Sequence, residues 1–370
     1  MWQCLNFDAT YPIFERTRLP YCHRCGAQLD EGARFCHKCG ALVITYIPPA
    51  KHPAKLKPWY KDHLIVVTIG LVVILLSAVV VIAFLVAPAS PWHFEQQRQD
   101  NSPNVNTINL TFEADVGQVN IIPIDVNNNI LIYVSANGSR GISTSTDDPV
   151  EILFDNQTSG DVLTVTSRVT LDNRFSFGSV VTCTIYVKPT LNLNLNVTSQ
   201  AGQVSFSVDK AAVIQSLNLH TTAGEVEANL QGNLTLAGNV SLTTNAGSVN
   251  FRMNEIGVNG NCTVALDSNL GSVYADITQT KTMTGNIKVN AATNAGSVNV
   301  GLEIDAGVGA QIASHTNLGD IDTDLKNFSG NESLIESNNY PAPSNIEITN
   351  HTNLGGINIQ ATYQTTTIPT

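Results

Sequence analysis

Four cysteines in the N-terminal part of the chain are spaced for metal binding. They form two Cys-x-x-Cys-Gly segments, and the cysteines are Cys22, Cys25, Cys36 and Cys39. Each segment delivers two sulfur atoms from one tight turn, and four thiolates complete the tetrahedral shell that Zn²⁺ prefers. Because no coordination position stays open, the sequence predicts a structural zinc site rather than a catalytic one. Two disulfides or a redox-active pair are the competing interpretations, which a reducing compartment and the duplicated motif disfavour.

Residues 21–42 resemble the short zinc-ribbon family found at the N-termini of many prokaryotic membrane proteins. An aromatic residue, Tyr21 or Phe35, precedes each cysteine pair. So short a segment has almost no hydrophobic core, and we expect metal binding to supply its folding free energy. His23 and His37 lie inside the two turns, and we expect both to be exposed because the sulfurs already fill the shell. The resemblance implies an interaction module with a protein partner.

Few other residues have a spacing that suits chemistry. Asp320, Asp322 and Asp324 alternate and could bind a cation or form an acid–base pair, but a solvated acidic strand is the favoured interpretation. Three histidines share one position of a repeat, namely His220, His315 and His351. The last two are candidate neighbours, and an exposed pair is favoured over a metal site or a pH switch. Cys183 and Cys262 fit either a disulfide or two buried free thiols.

One segment of the sequence is long and apolar enough to cross a membrane. Residues 64–87 lack ionisable side chains, and a helix of that length rises about 36 Å, more than the roughly 30 Å of a bilayer's hydrocarbon core. Lysines precede this segment at Lys51, Lys55, Lys57 and Lys61. Because positive charge stays inside, we expect an uncleaved signal anchor with its N-terminus in the cytoplasm and its C-terminal domain outside the cell. Trp59, Tyr60 and Trp92 are predicted to lie at the membrane interfaces.

Charge separates the two sides of this segment. Residues 1–87 carry nine Lys/Arg against five Asp/Glu, whereas residues 88–370 carry ten against 25. So acidic a C-terminal part cannot neutralise phosphates, which excludes nucleic acid as its partner. The predicted organisation is an extension at 1–20, the ribbon, a linker rich in proline and lysine at 43–63, the membrane helix, and a large domain at 104–365.

A short turn sequence recurs through the large domain. Its copies read SQAGQV, TTAGEV, TNAGSV, SNLGSV, TNAGSV, TNLGDI and TNLGGI. Their glycines are Gly202, Gly224, Gly247, Gly271, Gly296, Gly319 and Gly355. Successive glycines are 22, 23, 24, 25, 23 and 36 residues apart, and the last interval contains a polar insertion at 327–344. A degenerate eighth copy is predicted from matching offsets at Leu110, Gly117, Val119 and Ile121.

Each copy is predicted to be a strand, a glycine turn and a second strand. A β-branched residue stands two positions after every glycine, at Val204, Val226, Val249, Val273, Val298, Ile321 and Ile357. An apolar residue stands seven positions before it, at Leu195, Leu217, Val240, Val264, Val289, Ile312 and Ile348. Apolar and polar residues alternate around both positions, which is the period of a half-buried strand. Because one strand pair cannot bury its apolar face alone, the copies must stack.

Stacked copies without helical periodicity predict an all-β fold, a parallel β-solenoid with neighbouring copies about 4.8 Å apart. An antiparallel sandwich is the main alternative, because residues 104–190 have less regular strands. Asparagine stands two residues before most of the glycines, at Asn245, Asn269, Asn294, Asn317 and Asn353. These amides are predicted to form a hydrogen-bonded ladder that satisfies polar groups at a buried corner, and local turn chemistry is a second, compatible interpretation. A hydroxyl residue stands three residues before every glycine, at Ser199, Thr221, Thr244, Ser268, Thr293, Thr316 and Thr352.

Over roughly residues 105–365 these repeats resemble the putative-adhesin family of bacterial and archaeal surface proteins, and their combination with a ribbon and a single span suggests an archaeal source. The resemblance implies surface attachment without an established reaction. The favoured function is therefore a membrane-anchored surface protein, not an enzyme. Its solenoid would bind a surface glycan, matrix or protein ligand, while its ribbon would contact a cytosolic protein. The alternatives are a transmembrane regulator that signals through the ribbon and a surface carbohydrate-active enzyme.

Overall fold

The computed structural model describes residues 21–30, 33–42, 90–140, 150–172 and 179–364. The chain divides into two compact units, residues 1–84 and residues 85–370. We call the described residues of the first the ribbon unit and those of the second the repeat unit. The predicted extension, linker and membrane span at 64–87 lie outside the described residues. Within the part that is described, no helix has the length and apolar character needed to cross a bilayer.

The repeat unit consists of two β-sheets that share one hydrophobic core. In the leading sheet lie the strands that precede each glycine, together with five others: β2 (Thr107–Ala114), β5 (Val150–Ser159), β6 (Val162–Leu171), β8 (Asn192–Ala201), β10 (Val213–Ala223), β12 (Thr235–Ala246), β14 (Gly257–Val258), β15 (Cys262–Leu270), β17 (Ile287–Ala295), β19 (Gly309–Leu318), β21 (Phe328–Asn331), β22 (Leu334–Ser337) and β23 (Asn345–Leu354). In the trailing sheet lie the strands that follow each glycine, together with three others: β1 (Ser90–Asp100), β3 (Gln118–Pro123), β4 (Ile130–Arg140), β7 (Val180–Val187), β9 (Val204–Val208), β11 (Val226–Gln231), β13 (Val249–Asn254), β16 (Val273–Gln279), β18 (Val298–Asp305), β20 (Ile321–Lys326) and β24 (Ile357–Gln364).

Equivalent strands of neighbouring copies pair in parallel and in register. Val226 on β11 lies opposite Val204 on β9 and Val249 on β13. In the leading sheet Leu217 lies opposite Leu195 and Val240. The two apolar positions of each copy therefore form continuous columns, and every member is buried except Ile321, which is half-buried. The predicted all-β class and the predicted burial of these columns are confirmed, and the pairing is parallel because each copy repeats the same strand direction.

The degenerate eighth copy occupies the predicted place. Its strands β2 and β3 pair in parallel with β8 and β9, and Val119 lies opposite Val204. One further parallel layer, made by β6 and β7, lies beyond it. The regular array thus extends towards the N-terminus past the residues in which the glycine turn can be recognised.

Antiparallel strands flank the array at both ends. At one end β1, β4 and β7 pair antiparallel, as do β5 and β6. At the other end the hairpin of β21 and β22 pairs antiparallel with β19. Strands of this kind occupy positions from which further parallel strands could otherwise be added. The antiparallel arrangement considered from the sequence is thus found at the ends of the array, whereas its interior is parallel.

The first strand corrects one sequence prediction. β1 begins at Ser90, ahead of the boundary predicted at residue 104. Trp92 on this strand was assigned to the membrane interface, and that assignment is wrong because its side chain is buried in the core of the repeat unit. Gly138 on the paired strand β4 leaves room for the indole, since a Cβ there would lie 2.9 Å from the Trp92 ring.

The spatial order of the copies departs from the chain order near the C-terminus. β23 lies between β17 and β19, and β24 lies between β18 and β20. The copy at Gly355 is therefore inserted between the copies at Gly296 and Gly319. The insertion at 327–344 contributes the β21–β22 hairpin before the chain returns to the array. Spacing along the sequence could not show this exchange, because it reports which copies follow one another and not which ones touch.

Candidate metal centre and repeat surfaces

The two cysteine turns of the ribbon unit have the same backbone geometry. In the first turn the Cys22 N–H donates to the Ala27 carbonyl at 2.8 Å, and the Gly26 N–H donates to the Cys22 carbonyl at 2.9 Å. The second turn repeats both bonds fourteen residues later, from Cys36 and Gly40. Gly26 and Gly40 have φ values of 70° and 72°, and a Cβ at either would meet nothing within 4 Å. Glycine is therefore used here for its left-handed conformation and not for space.

The four sulfurs predicted to bind metal converge on one point. The Cys22 and Cys39 Sγ atoms are 3.6 Å apart, and those of Cys25 and Cys36 are 3.7 Å apart. All four lie within 4.8 Å of one another. Sulfur atoms at about 2.3 Å from a tetrahedral zinc ion are separated by about 3.8 Å, so these two distances fit a common ion. The cysteines are positioned to bind a metal ion, and the cluster offers sulfur ligands alone.

The sulfurs lie so close together that the thiols of Cys22 and Cys39 have very different pKa values. Backbone amides of Arg24 and Cys25 hydrogen-bond to the Cys22 sulfur and lower the pKa of that thiol to about 6. The Ala41 amide lowers the pKa of the Cys39 thiol, but hydrogen bonds with the three neighbouring sulfurs and partial burial raise it to about 12. One thiol of the cluster thus ionises readily while another resists a second negative charge nearby. A divalent cation removes this conflict, because it stabilises all of the thiolates together.

The ribbon unit has a small core and several exposed apolar side chains. Its core consists of Cys22, Leu29 and Cys36, with three smaller neighbours. Large apolar side chains are exposed at Tyr21, Phe35 and Leu42, by 66%, 60% and 55%. His23 and His37 are exposed as predicted, and the cluster of four potential ligands does not include them.

In the repeat unit the turn glycines form a column in which backbone touches backbone. Gly224, Gly247 and their equivalents have φ values between 129° and 149°, except Gly117 at 122°. A Cβ at Gly247 would lie 1.8 Å from the Gly224 carbonyl oxygen, and the same collision recurs at 1.8 to 2.1 Å in every copy from Gly202 onwards. Both the conformation and the lack of space therefore require glycine.

Hydroxyl side chains satisfy the carbonyls of this corner. The Thr244 hydroxyl donates to the Gly224 carbonyl at 3.1 Å, and the Ser268 hydroxyl donates to the Gly247 carbonyl at 2.9 Å. Equivalent bonds to the glycine of the adjoining copy are made by Thr221, Thr293, Thr316 and Thr352. The whole hydroxyl column is buried except for half-buried Thr316. A buried polar group at this corner is thus matched by a partner in the next copy.

The predicted asparagine ladder exists, but at an exposed position. Each amide nitrogen donates to the side-chain oxygen of the adjoining copy, with N···O distances of 3.2, 2.9, 2.8 and 2.6 Å along the order Asn245, Asn269, Asn294, Asn353 and Asn317. The ladder follows the exchanged spatial order of the last two copies. The prediction that it satisfies a buried corner is wrong, because the hydroxyls do so and the amides lie exposed or half-buried.

The remaining candidate residues separate in space. Asp320, Asp322 and Asp324 lie on or beside β20, and all three are exposed. Among the described strands, β20 forms one edge of the trailing sheet. His315 and His351 stack with their ring centroids 5.5 Å apart, so the predicted neighbours do touch.

The third histidine and the two remaining cysteines are isolated from these groups. His220 lies several copies away from the stacked pair and contacts the Thr243 hydroxyl at 2.8 Å. Cys183 and Cys262 are free and buried in different sheets, which excludes the disulfide interpretation.

Two surface features escaped the sequence analysis. Leu270, Leu318 and Leu354 are 62%, 67% and 53% exposed in the position immediately before the turn glycine. Tyr274 is 45% exposed on the outer face of the trailing sheet. The available signal was a large apolar side chain at a repeat position that other copies fill with a small or polar residue.

Comparisons with known proteins give one family match and several similar solved structures. Residues 21–43 match the family model of a zinc-ribbon domain. Among solved structures, the chain is similar to a putative cell adhesion protein from Clostridium sporogenes ATCC 15579, with 12% identity over 73% of this chain and 100% of that chain and a TM-score of 0.34. It is also similar to a putative adhesin from Bacteroides fragilis NCTC 9343, with 14% identity over 73% of this chain and 98% of that chain and a TM-score of 0.31. No curated protein matches the chain. Both TM-scores are low, and neither similarity indicates a function for this chain.

Proposed function

We propose that the chain is a single-pass membrane protein whose repeat unit is a parallel β-solenoid that attaches to a ligand outside the cell. The observation that carries this proposal is the in-register stacking of eight copies, which repeats each outward polar position along the outer faces of both sheets. Repeated shallow sites favour multivalent attachment over binding in one deep pocket. The ligand class is a surface glycan, matrix component or protein, and the proposal assigns no catalytic activity.

In this proposal residues 64–87 anchor the chain and the ribbon unit lies in the cytoplasm. The lysines before the apolar segment support this orientation, since positively charged flanks stay inside. Free Cys183 and Cys262 do not bear on the compartment, because buried thiols persist on either side of a membrane.

Attachment is tested with cells that display the full-length chain. We expect them to adhere to surfaces coated with cell-wall polysaccharide, matrix or purified surface proteins more strongly than cells without the chain. Protease added to intact cells should remove the repeat unit and leave the ribbon unit intact. Equal adhesion with and without the chain on every coating, or digestion of the ribbon unit in intact cells, would contradict the proposal.

We further propose that the bound metal is zinc in a structural role. Two sulfur separations near 3.8 Å and a ligand set of four thiolates support this assignment. We expect the purified full chain to contain one zinc per molecule and the Cys25→Ser variant to contain markedly less. The matched control is His23→Ala, which changes an exposed neighbour in the same turn and should keep its zinc. Full zinc occupancy in Cys25→Ser would show that the cluster is not the metal site.

A second candidate function is signalling through the ribbon unit. Exposed Tyr21, Phe35 and Leu42 favour it, because exposed large apolar side chains on so small a unit suit a protein interface. We expect Phe35→Ser to keep zinc but to lose a cytosolic partner that the unmodified full chain recovers. If no partner is recovered by either protein, the ribbon serves anchorage alone.

A further inference from the structure

Residues that lie opposite one another on neighbouring strands form rows across the outer face of the trailing sheet. One of these rows is polar on both sides of a single tyrosine in the middle of the array. In this row Tyr274 lies between Asn250 and Asn299 on the neighbouring strands. Its members in the other glycine-turn copies are small, polar or acidic, namely Asn120, Ser205, Glu227, Asn358 and Asp322. Among the eight glycine-turn copies Tyr274 is therefore the one aromatic side chain in this row, and it stands with 45% of its surface exposed. Beyond these copies the row continues through Thr184 to Tyr133 on the antiparallel strand β4.

A groove lies on each side of the Tyr274 ring. The first has a volume of about 450 Å³ and is lined by Glu227, Asn250, Arg252, Tyr274 and Asp276 with the backbone between them. The second has a volume of about 410 Å³ and is lined by Tyr274, Asp276, Asn299, Gly301, Asn358 and Gln360. Both volumes fall in the range of about 300–1,000 Å³ that is usual for small-ligand sites. Tyr274 and Asp276 line both grooves. We therefore call the two grooves together the trough, with the Tyr274 ring between them.

Gly301 keeps the second groove open. It lies within β18, opposite Asp276 and Gln360, and its φ is outside the left-handed region. A Cβ there would lie 3.1 Å from the Asp276 Oδ1 atom, which is the movable end of a side chain, and at an ordinary 3.9 Å from the Asp276 Cα and Cγ atoms. The backbone therefore does not require glycine, although glycine in a strand interior weakens the strand. What the missing side chain provides is free space beside the Tyr274 ring.

The polar groups of the trough suit a ligand with many neutral hydroxyls. The Asn358 amide donates to the Asn299 side-chain oxygen at 2.9 Å, and the Asn299 amide nitrogen and the Asn358 oxygen make no other hydrogen bond within the described residues. Arg252 Nε contacts Asp276 Oδ2 at 3.4 Å, with both side chains largely exposed. Amide, carboxylate and guanidinium groups offer donors and acceptors side by side, as adjacent sugar hydroxyls require. The flat ring of Tyr274 can accept the apolar C–H face of a sugar ring.

Charge narrows the ligand class further. The trough contains the carboxylates of Glu227 and Asp276 against the single cation Arg252, which is already held by Asp276. Residues 88–370 as a whole carry ten basic against 25 acidic groups. An anionic ligand would meet repulsion on approach and no free cation in the trough.

We propose that the trough around Tyr274 binds a neutral oligosaccharide, with one sugar unit stacked on the Tyr274 ring and its neighbour seated beside Gly301. This proposal rests on the proposed attachment function and names the ligand class and the site. Recognition of neighbouring sugar units along one chain fits a trough that runs on both sides of a single aromatic ring. Repetition of polar rows on either side allows a longer polysaccharide to extend across further copies.

The experiment measures binding of the full-length chain, in detergent, to arrayed neutral oligosaccharides of glucose, galactose, mannose and N-acetylglucosamine, with sialylated and sulfated glycans alongside. We expect Tyr274→Ala to weaken binding about tenfold or more, because the stacking surface is lost. Tyr274→Phe keeps the ring and should stay within about fivefold of the unmodified chain, since it loses one neutral hydrogen bond. Gly301→Leu fills the groove and should also weaken binding about tenfold or more.

Ser207→Leu is the matched control. Ser207 lies in the same row as Gly301, four strands away on the same outer face, so this variant places an identical side chain outside the trough. It should bind like the unmodified chain, and no variant should have a lower urea unfolding midpoint than the unmodified chain. A stable Tyr274→Ala or Gly301→Leu variant that binds as tightly as Ser207→Leu overturns the site. Binding to anionic glycans only, or adhesion of displaying cells without binding to any neutral glycan, overturns the ligand class and leaves the attachment function standing. Failure of both adhesion and glycan binding contradicts both proposals.

Discussion

Replacing Gly247 by alanine tests whether direct backbone contact holds the copies together. A Cβ at this position would lie 1.8 Å from the Gly224 carbonyl oxygen, whereas ordinary contact begins at 3.4 Å. The two copies would therefore have to separate by about 1.6 Å at this corner. The φ of 146° adds a second cost, because side chains with L chirality rarely adopt that conformation.

The expected magnitude follows from the bonds at this corner. Separation disrupts the Thr244 hydroxyl bond to the Gly224 carbonyl, at 3.1 Å, and the Gly224 N–H bond to the Ala246 carbonyl, at 2.8 Å. Two such bonds contribute about 1–3 kcal/mol, and backbone strain of this kind costs about 1–3 kcal/mol. We therefore expect Gly247→Ala to lower the free energy of unfolding by about 2–6 kcal/mol.

The control isolates the collision from the strain. Gly260 also has a positive φ, 80°, but a Cβ there meets nothing within 4 Å. Gly260→Ala should cost only the left-handed conformation, about 1–2 kcal/mol. Urea unfolding of the full chain, followed by circular dichroism, measures both, and hydrogen exchange at the Gly224 amide locates the damage. If Gly247→Ala destabilises the protein no more than Gly260→Ala, the contact argument is refuted.

Three further predictions concern other buried groups. Thr244→Val keeps the shape but leaves the Gly224 carbonyl without its hydroxyl donor, so unfolding measurements should show a loss of about 1–3 kcal/mol, and an unchanged midpoint would contradict the role of the hydroxyl column. Burial raises the pKa of Asp100, but hydrogen bonds from Ser102, Asn129 and Asn156 lower it further than that, so the pKa lies below its usual range. The stabilisation from Asp100 is therefore present above the unfolded pKa of about 4 and is lost as pH falls through the lower folded value, and Asp100→Asn should be destabilised at pH 7 and match the unmodified chain at acidic pH. Burial raises the pKa of Cys183 to about 12 and also raises that of Cys262. A thiol reagent should therefore label neither residue in the native protein and both residues after unfolding. If neither residue is labelled after unfolding, the two cysteines form a disulfide.

Periodicity predicted those features that every copy must share. The buried columns represented by Val226 and Leu217 and the turn glycines were recognisable because the same packing demand recurs in each copy. Asn245 and its equivalents formed the expected ladder, since identical side chains at the same position of stacked strands come within hydrogen-bonding distance. The four cysteines of the ribbon unit were recognisable for a different reason, because their spacing is set by the coordination geometry of one ion.

Features that belong to single copies could not be predicted in this way. The sequence places Thr244 and Asn245 side by side and does not show which of them points into the corner, so the buried role was assigned to the wrong side chain. Tyr274 and Gly301 break the pattern of their rows, and an analysis of what recurs passes over such exceptions. The antiparallel end strands, such as β1, lack the turn motif and follow only from the need to cover the ends of the sheets.

The interleaving of the last copies bears on how the protein is made. The copy at Gly319 is synthesised before the copy at Gly355, yet the later copy lies inside the array, against Gly296. If each copy packed as soon as it was synthesised, the Gly319 copy would pack against the Gly296 copy, where the native structure has the Gly355 copy. The Gly319 copy therefore has to stay unpacked, or dissociate again, until the Gly355 copy has been synthesised and has packed against the Gly296 copy. Synthesis of the chain can assemble most of the array progressively, but this end is completed only after the later segment has been made. Until then an unpaired strand edge is exposed to neighbouring molecules.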